Sequence, residues 1–304
     1  FAHGVPGLVL IVVDPIATVF STTDACFATL RTYPEEDRKV TDGARIVVLG
    51  SRGSIPVSGA EFVRYGGNTT SVALTNGNQV VGFVDAGTGV AAHATFGLEL
   101  ASTVEVFLTH YHWDHIQGLS MLEALWSGDT DIVIHGHGAV ERSLTSVITP
   151  PWFPVSLADA PNVRFQTIGR SVEIRGFAVT PFEVEHPQGA LGYRVDGPSA
   201  SIAFVTDHEA GTERDVSIAK AIRGVDVLVH DAQYAPDEVE IRRGWGHSTW
   251  EGAADAAEAA EAGKLLLTSL DPRTTDDDAD ALLALTRQRF PSTEIAAQGL
   301  VVPL

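Results

Sequence analysis

Leu108-Thr109-His110-Tyr111-His112-Trp113-Asp114-His115, continued by Ile116-Gln117-Gly118-Leu119, decides the reading of this 304-residue chain. Three imidazoles and a carboxylate fall within the six positions from His110 to His115, directly after an apolar β-rich run. A strand-to-helix turn lets such side chains converge, whereas a straight strand sends successive residues to opposite faces. Imidazole and carboxylate are the donors that suit zinc, manganese or iron. The competing reading is a chance histidine cluster on a surface loop, which only the surrounding sequence can decide.

Outward from this stretch, short β-rich runs are separated by Gly, Asn and Asp at 45–50, 71–75, 79–85, 103–109 and 131–135. Further runs at 163–168, 172–182, 190–195, 201–206 and 225–230 keep the strand character, while 253–262 and 279–289 have helical composition. Residues 264–269, the helix after them and residues 294–302 read as a β-α-β unit. Strands mixed with helices predict a layered α/β domain over 44–304. Residues 1–43 differ in character, an apolar stretch and then a polar one, and read as an N-terminal extension of unknown role. No internal repeat is evident.

Composition narrows the partners. The apolar run 7–13 is broken by Asp14 and Pro15, far short of the ~20 apolar residues a membrane span needs. It also lacks the cationic flank of a signal peptide, so the reading is a soluble, cytoplasmic protein. Cys26 is the single cysteine, which excludes an internal disulfide and a cysteine-rich metal site and suits a reducing compartment. The formal net charge of −19 disfavours a long polyanion such as nucleic acid, whose binding gathers Lys and Arg. Small anionic substrates remain compatible, because metal dications offset the charge locally. The acidic run Asp276-Asp277-Asp278 with Asp280 reads as a solvated helix start.

Three later elements follow the histidine stretch: His186 within His186-Pro187-Gln188-Gly189, Asp207 within Val205-Thr206-Asp207, and His247 within Gly246-His247-Ser248-Thr249. Taken in this order with His-x-His-x-Asp-His, they resemble the metallo-β-lactamase superfamily over about residues 44–304. The resemblance implies an α/β fold, the four-layer αββα sandwich. It implies that His110, His112 and His186 bind one metal ion and Asp114, His115 and His247 a second, with Asp207 bridging and Asp114 also serving catalysis. The expected cofactor is therefore two divalent metal ions, foremost Zn2+, with Mn2+ or Fe as alternatives. Two dications sharing a water yield a bridging hydroxide as nucleophile and clamp both oxygens of an in-line displacement.

Within the superfamily, Val229-His230-Asp231-Ala232 followed by Gly246-His247-Ser248-Thr249 is similar to motifs of the ribonuclease Z branch and its cyclic-phosphodiesterase relatives. That resemblance gives His230 the role of protonating the leaving oxygen; a strand-end cap is its plain alternative. Gly50 to Pro56 and Arg64 to Thr70 resemble the Gly-rich opening of the same branch, making Arg52, Arg64 and Asn68 candidate substrate contacts, or only turn residues. The histidine stretch, Pro150 to Val155 and Gly244 to Trp250 further resemble phosphoribosyl 1,2-cyclic phosphate phosphodiesterase-like proteins. Departures accompany the likeness. Only 21 positions separate His186 from Asp207, leaving no room for the transfer-RNA arm of ribonuclease Z. Ser269-Leu270-Asp271-Pro272 lacks a histidine that relatives carry, and Tyr111 replaces a small hydroxyl residue.

His135 and His137 read as loop or rim residues with a metal site as the alternative, and His208 as pointing away from the metals. Trp152 and Phe153 either wall the pocket or pack. The leading expectation is a dinuclear hydrolase of small or cyclic phosphodiesters, in a family whose members are often homodimers. Alternatives are lactone, ester or β-lactam hydrolysis on the same metals, RNA 3′-processing, and a non-catalytic sensor module.

Overall fold

The computed structural model describes residues 43–304. The expected extension at 1–43 thus lies outside the described residues except for Gly43, as does Cys26. Among the described residues, fourteen strands form two seven-stranded sheets. The first sheet contains β1 (Ala44–Gly50), β2 (Ser71–Asn76), β3 (Gln79–Val84), β4 (Glu99–Phe107), β5 (Asp131–Gly136) and β6 (Val163–Thr167), with β14 (Val301–Pro303) at the edge beside β1. The second runs from β7 (Val172–Ile174) through β8 (Phe177–Val184), β9 (Ala190–Asp196), β10 (Ser201–Val205), β11 (Val227–Asp231) and β12 (Lys264–Thr268) to β13 (Thr293–Ile295).

The strands read as continuous apolar runs because both faces of each sheet are covered. In β1, Ile46 and Val48 enter the core between the sheets, while Val47 and Leu49 enter a second core beneath the short helices α1 (Trp113–Ile116), α2 (Ala124–Ser127) and α3 (Val140–Thr145). In β12, Leu266 faces the inter-sheet core and Leu265 and Leu267 face the helices α4 (Arg214–Ala221), α5 (Trp250–Ala259) and α6 (Asp276–Arg289). Period-two alternation between two apolar environments builds the four-layer αββα sandwich that the resemblance implied.

Two details differ from the sequence reading. The run 172–182 is broken by a turn in which Arg175 and Gly176 take positive φ, making β7 and β8 an antiparallel hairpin. The terminal β-α-β unit does form, since β13 pairs parallel to β12, but the chain then leaves that sheet and β14 pairs with β1 in the other. Apolar periodicity reports burial and carries no information on which sheet receives a strand.

The strands β3, β4, β5 and β6 are mutually parallel, and so are β10, β11, β12 and β13. The segments after β3, β4, β8 and β10 carry Asp85, His110 to His115, His186 and Asp207 respectively, and β11 ends on Asp231, so both sheets deliver polar residues at one end of the sandwich. A hydrogen bond across the layers fixes this register: the buried Tyr193 hydroxyl of β9 donates to the Leu108 carbonyl at 2.7 Å. Leu191 N donates to the Thr109 carbonyl at 2.9 Å just beside it.

Candidate metal centre

The turn after β4 is shaped by what it hydrogen-bonds. Asp85, buried at the end of β3, accepts from Thr109 N at 2.8 Å and from Thr109 Oγ1 at 2.9 Å, and meets His115 Nδ1 at 2.8 Å. Ala86 N donates to the His115 carbonyl and Gly118 N to the Ala86 carbonyl, each at 2.8 Å. A Cβ on Gly118 would collide with the Gly87 carbonyl, which is why glycine closes the stretch. The turn therefore packs backbone to backbone against the strand beside it.

Three overlapping groups of donors result: His110, His112 and His186; His110, His115 and Asp207; and His186, Asp207 and His247, the ligand atoms of each lying within 4.8 Å of one another. Asp207 Oδ2 stands 3.3 Å from His115 Nε2 and 3.7 Å from Nε2 of both His110 and His186. Asp114 Oδ2 lies 3.4 Å from His115 Nε2. All seven residues singled out by sequence thus belong to one connected cluster, Asp114 through His115 rather than as a member of a group.

The other face of each ring is held. His186 Nδ1 donates to the Gly246 carbonyl at 2.7 Å, His247 Nδ1 pairs with Asp231 Oδ2 at 2.8 Å, and His112 Nε2 meets Gln188 Oε1 at 3.1 Å. Such outer partners fix the ring and present the opposite nitrogen, which is the arrangement of metal-ligating histidines. Glycine is required at 246, where φ is 85° and a Cβ would strike the His186 ring. Asp114 is oriented by Ser54 N at 2.7 Å, and Asp207 Oδ1 accepts from Ser269 Oγ at 3.3 Å.

The donor set fits a divalent cation. His110 Nε2 and His115 Nε2 are buried without a hydrogen-bond partner, although both point at a carboxylate oxygen. Bonds of about 2.0–2.1 Å around a tetrahedral cation would separate neighbouring donors by about 3.3 Å, close to the spacing found here. Burial opposes charge on His115, yet Asp207, Asp85 and Asp114 hold its imidazolium well above the ordinary histidine range. Burial likewise opposes charge on His247, but Asp231 and Asp207 lift it to about 9. Burial disfavours the Asp207 carboxylate too, and His115, His247 and His110 nevertheless keep it well below the usual range. The cluster calls for positive charge, which a cation supplies without the histidine protons.

Other candidates are placed differently. Arg52, assigned as a substrate contact, is fully buried: it donates from Nε to the Gly66 carbonyl at 2.8 Å and from Nη1 to the Thr274 carbonyl at 2.6 Å, and its Nη2 stands 3.7 Å from Asp276. Arg64 is committed to Asp277 and Asp280. The Asn68 side chain accepts from Thr88 Oγ1 at 3.1 Å, and its carbonyl accepts from Ser51 N and Arg52 N. All three residues build the opening loop; for Arg52, buried with its guanidinium held inside the protein, the substrate-contact expectation is corrected. The acidic run does start a helix, with Asp277, Asp278 and Asp280 exposed, and it also anchors Arg64 and Tyr65.

His230 is not joined to the ligands by any hydrogen bond among the described residues. It is fully buried, with Nδ1 2.9 Å from the Asp231 carbonyl and its ring 5.9 Å from that of His208. Burial and then His208 lower its pKa to about 3, so the neutral ring's one proton is committed to that carbonyl. Its Nε2 is buried without a hydrogen-bond partner among the described residues. His208 bonds Asp215 at 3.0 Å, away from the cluster, and His135 bonds Glu105 at 2.5 Å while stacking on Phe107. Trp152 is exposed and Phe153 packs on Trp126. Asp85, Ser54, Gln188 and Ser269 were not singled out by sequence reasoning. The one available signal was a carboxylate directly after an apolar run at Asp85.

A four-layer αββα sandwich whose strand ends gather His110, His112, Asp114, His115, His186, Asp207 and His247 defines the metallo-β-lactamase class. Residues 83–268 match the family model described as the beta-lactamase superfamily domain, and the chain belongs to that family. It is 26% identical over 308 residues to ribonuclease Z of Listeria innocua, covering 83% of this chain and 96% of that one. The fold is similar to that of the metallo-beta-lactamase fold protein YhfI from Bacillus subtilis (TM-score 0.66, 21% identity, 86% and 99% covered). It is also similar to a diphosphatase from the PhnP family (TM-score 0.64, 22% identity, 86% and 98% covered). The protein is a metal-dependent hydrolase.

Two substitutions separate these roles. Asp85→Asn weakens Zn2+ binding by about 10- to 100-fold, as loss of a ligand's outer partner does. Competition against a chromogenic chelator measures it, and unchanged affinity removes Asp85 from the centre. Arg52→Ala lowers stability in urea on the order of 3 kcal/mol, since Asp276 loses its buried partner; a raised KM with unchanged stability returns Arg52 to the substrate.

Proposed function

We propose that this chain is a dinuclear metal phosphodiesterase for small or cyclic phosphodiesters. The observation that carries the reading is the sharing of His110, His186 and Asp207 among three donor groups, which with Asp114 assembles more donors than the four that one tetrahedral zinc uses. In this proposal His110, His112 and His186 hold one Zn2+ ion and Asp114, His115 and His247 another, with Asp207 common to both. When bound, such a pair acidifies water and stabilises the attacking and leaving oxygens of an in-line phosphoryl displacement.

The chain's own residues do the rest. Asp85, Asp231 and the Gly246 carbonyl hold His115, His247 and His186 in single orientations, so the donors need no rearrangement on binding. Ser54 N and Ser269 Oγ do the same for the two carboxylates. Enclosure of Asp114, His115 and Asp207 keeps bulk water from this side of the site, while the exposed His112 marks where substrate enters.

Small substrates are favoured over long RNA by two facts. The 20 residues between His186 and Asp207 are taken up by β9, β10 and short turns. Arginines in the neighbouring loops are engaged by carboxylates, Arg242 by Glu238 and Arg273 by Asp271. Ribonuclease Z relatives make precursor transfer RNA the necessary comparison substrate.

The test is parallel turnover of bis(p-nitrophenyl) phosphate, cyclic nucleotides, a lactone, a β-lactam and a precursor transfer RNA. The expected result is phosphodiester cleavage that exhaustive chelation removes and added Zn2+ or Mn2+ restores, and that His112→Ala lowers by at least about 100-fold, the scale of losing a metal function. Lactone or β-lactam turnover without phosphodiester cleavage would replace this function with the second hydrolytic class.

A further inference from the structure

Among the exposed large apolar side chains of the described residues, two lie beside or within two positions of the metal ligands. Trp113, 56% exposed, follows the exposed His112 and precedes Asp114, and Trp245, 61% exposed, precedes Gly246 and His247. The His112 ring lies 5.0 Å from that of His186, which lies 5.3 Å from that of His247. The His112 ring thus has Trp113 next in chain, and the His247 ring has Trp245 two positions before it. Ile55, 58% exposed, follows Ser54, whose N–H holds Asp114.

Trp245 is braced rather than loose. The Arg242 guanidinium sits 5.8 Å from the Trp245 ring and 4.6 Å from that of Tyr234, and Tyr234 in turn lies 5.3 Å from the His247 ring. Arg242 is itself tied to Glu238 at 2.9 Å and Asp271 at 3.8 Å. The bracing charge is thus neutralised, and the apolar ring is what it presents to solvent. Arg52, Arg64 and Arg273 are tied to carboxylates in the same way.

We propose that Trp113 and Trp245 form an aromatic rim that binds an aryl or heteroaryl group of the substrate, so that the enzyme takes singly charged aromatic phosphodiesters in preference to alkyl or polyphosphorylated ones. This rests on the phosphodiesterase reading and names its substrate class. The physical argument is complementarity: the metal cluster meets one phosphodiester charge, and the rim offers ring faces, while the arginines named here are already paired with carboxylates. Stacking on an exposed indole stabilises a ring by about 1–3 kcal/mol, enough to set specificity.

Calorimetric titration of the zinc-loaded protein with diphenyl phosphate and with dimethyl phosphate tests the rim without relying on turnover. The wild type is expected to prefer the diaryl ester by about tenfold or more, the scale of one stacked ring. Trp113→Ala and Trp245→Ala each reduce that preference, the double variant removes most of it, and Trp→Phe at either site restores it. Equal affinity of the wild type for the two esters, or an undiminished preference in the double variant, overturns the inference. So does a change of oligomeric state in the double variant with the preference intact, which makes the rim a self-association surface. Turnover of bis(p-nitrophenyl) phosphate by the wild type, measured alongside, reports separately on the phosphodiesterase reading: its absence sinks that reading while the binding ratio still decides the rim.

Discussion

The Asp207 carboxylate, almost wholly buried and faced by three imidazole nitrogens between 3.3 and 3.7 Å away, is the constraint on which the rest of the structure depends. Enclosing a carboxylate costs several kcal/mol unless charge and hydrogen bonds compensate. Asp114, Asp85 and Asp231 are buried in the same region, so the deficit of positive charge is collective. Protons on His115 and His247 meet part of it. A divalent cation would meet it more completely and satisfy the buried Nε2 atoms of His110 and His115, which have no hydrogen-bond partner among the described residues.

This demand explains how the layers are joined. Asp85 and the histidine turn come from the first sheet, and Asp207, Asp231, His186 and His247 from the second or its loops. The bonds from Tyr193 to Leu108 and from Leu191 to Thr109 set one sheet against the other. A line of contacts also runs from the acidic start of α6 to Asp276 and Arg52, along the loop to Ser54, and so to Asp114. Part of the chain's large negative charge is therefore spent internally, holding the loop that orients a ligand.

Much of this was legible in the sequence, for reasons that individual residues show. The strands of both sheets stood out because residues such as Ile46 and Val47 face different cores, leaving apolar runs without alternation. The seven candidate ligands were legible because their spacing reproduces a family signature. What stayed hidden depends on contacts distant in sequence. Asp85 lies 30 positions from His115, and nothing local distinguishes it from an ordinary strand-end residue. Arg52 looked like an anion contact because a Gly-rich loop with an arginine is the composition of both a cradle and a clamp; its bonds to Gly66 and Thr274 decide for the clamp. His230 kept its motif position, yet its surroundings, His208 and the Asp231 carbonyl, could not be foreseen from that motif.

The central claim is that one enclosed cluster holds a pair of cations about a common carboxylate. Diffraction data collected on either side of the zinc absorption edge, from crystals of the zinc-loaded protein, test it most directly. The account predicts two anomalous peaks at the cluster, one among His110, His112 and His186, the other among Asp114, His115 and His247, with Asp207 touching both. A single peak, or peaks elsewhere with the cluster empty, would contradict it.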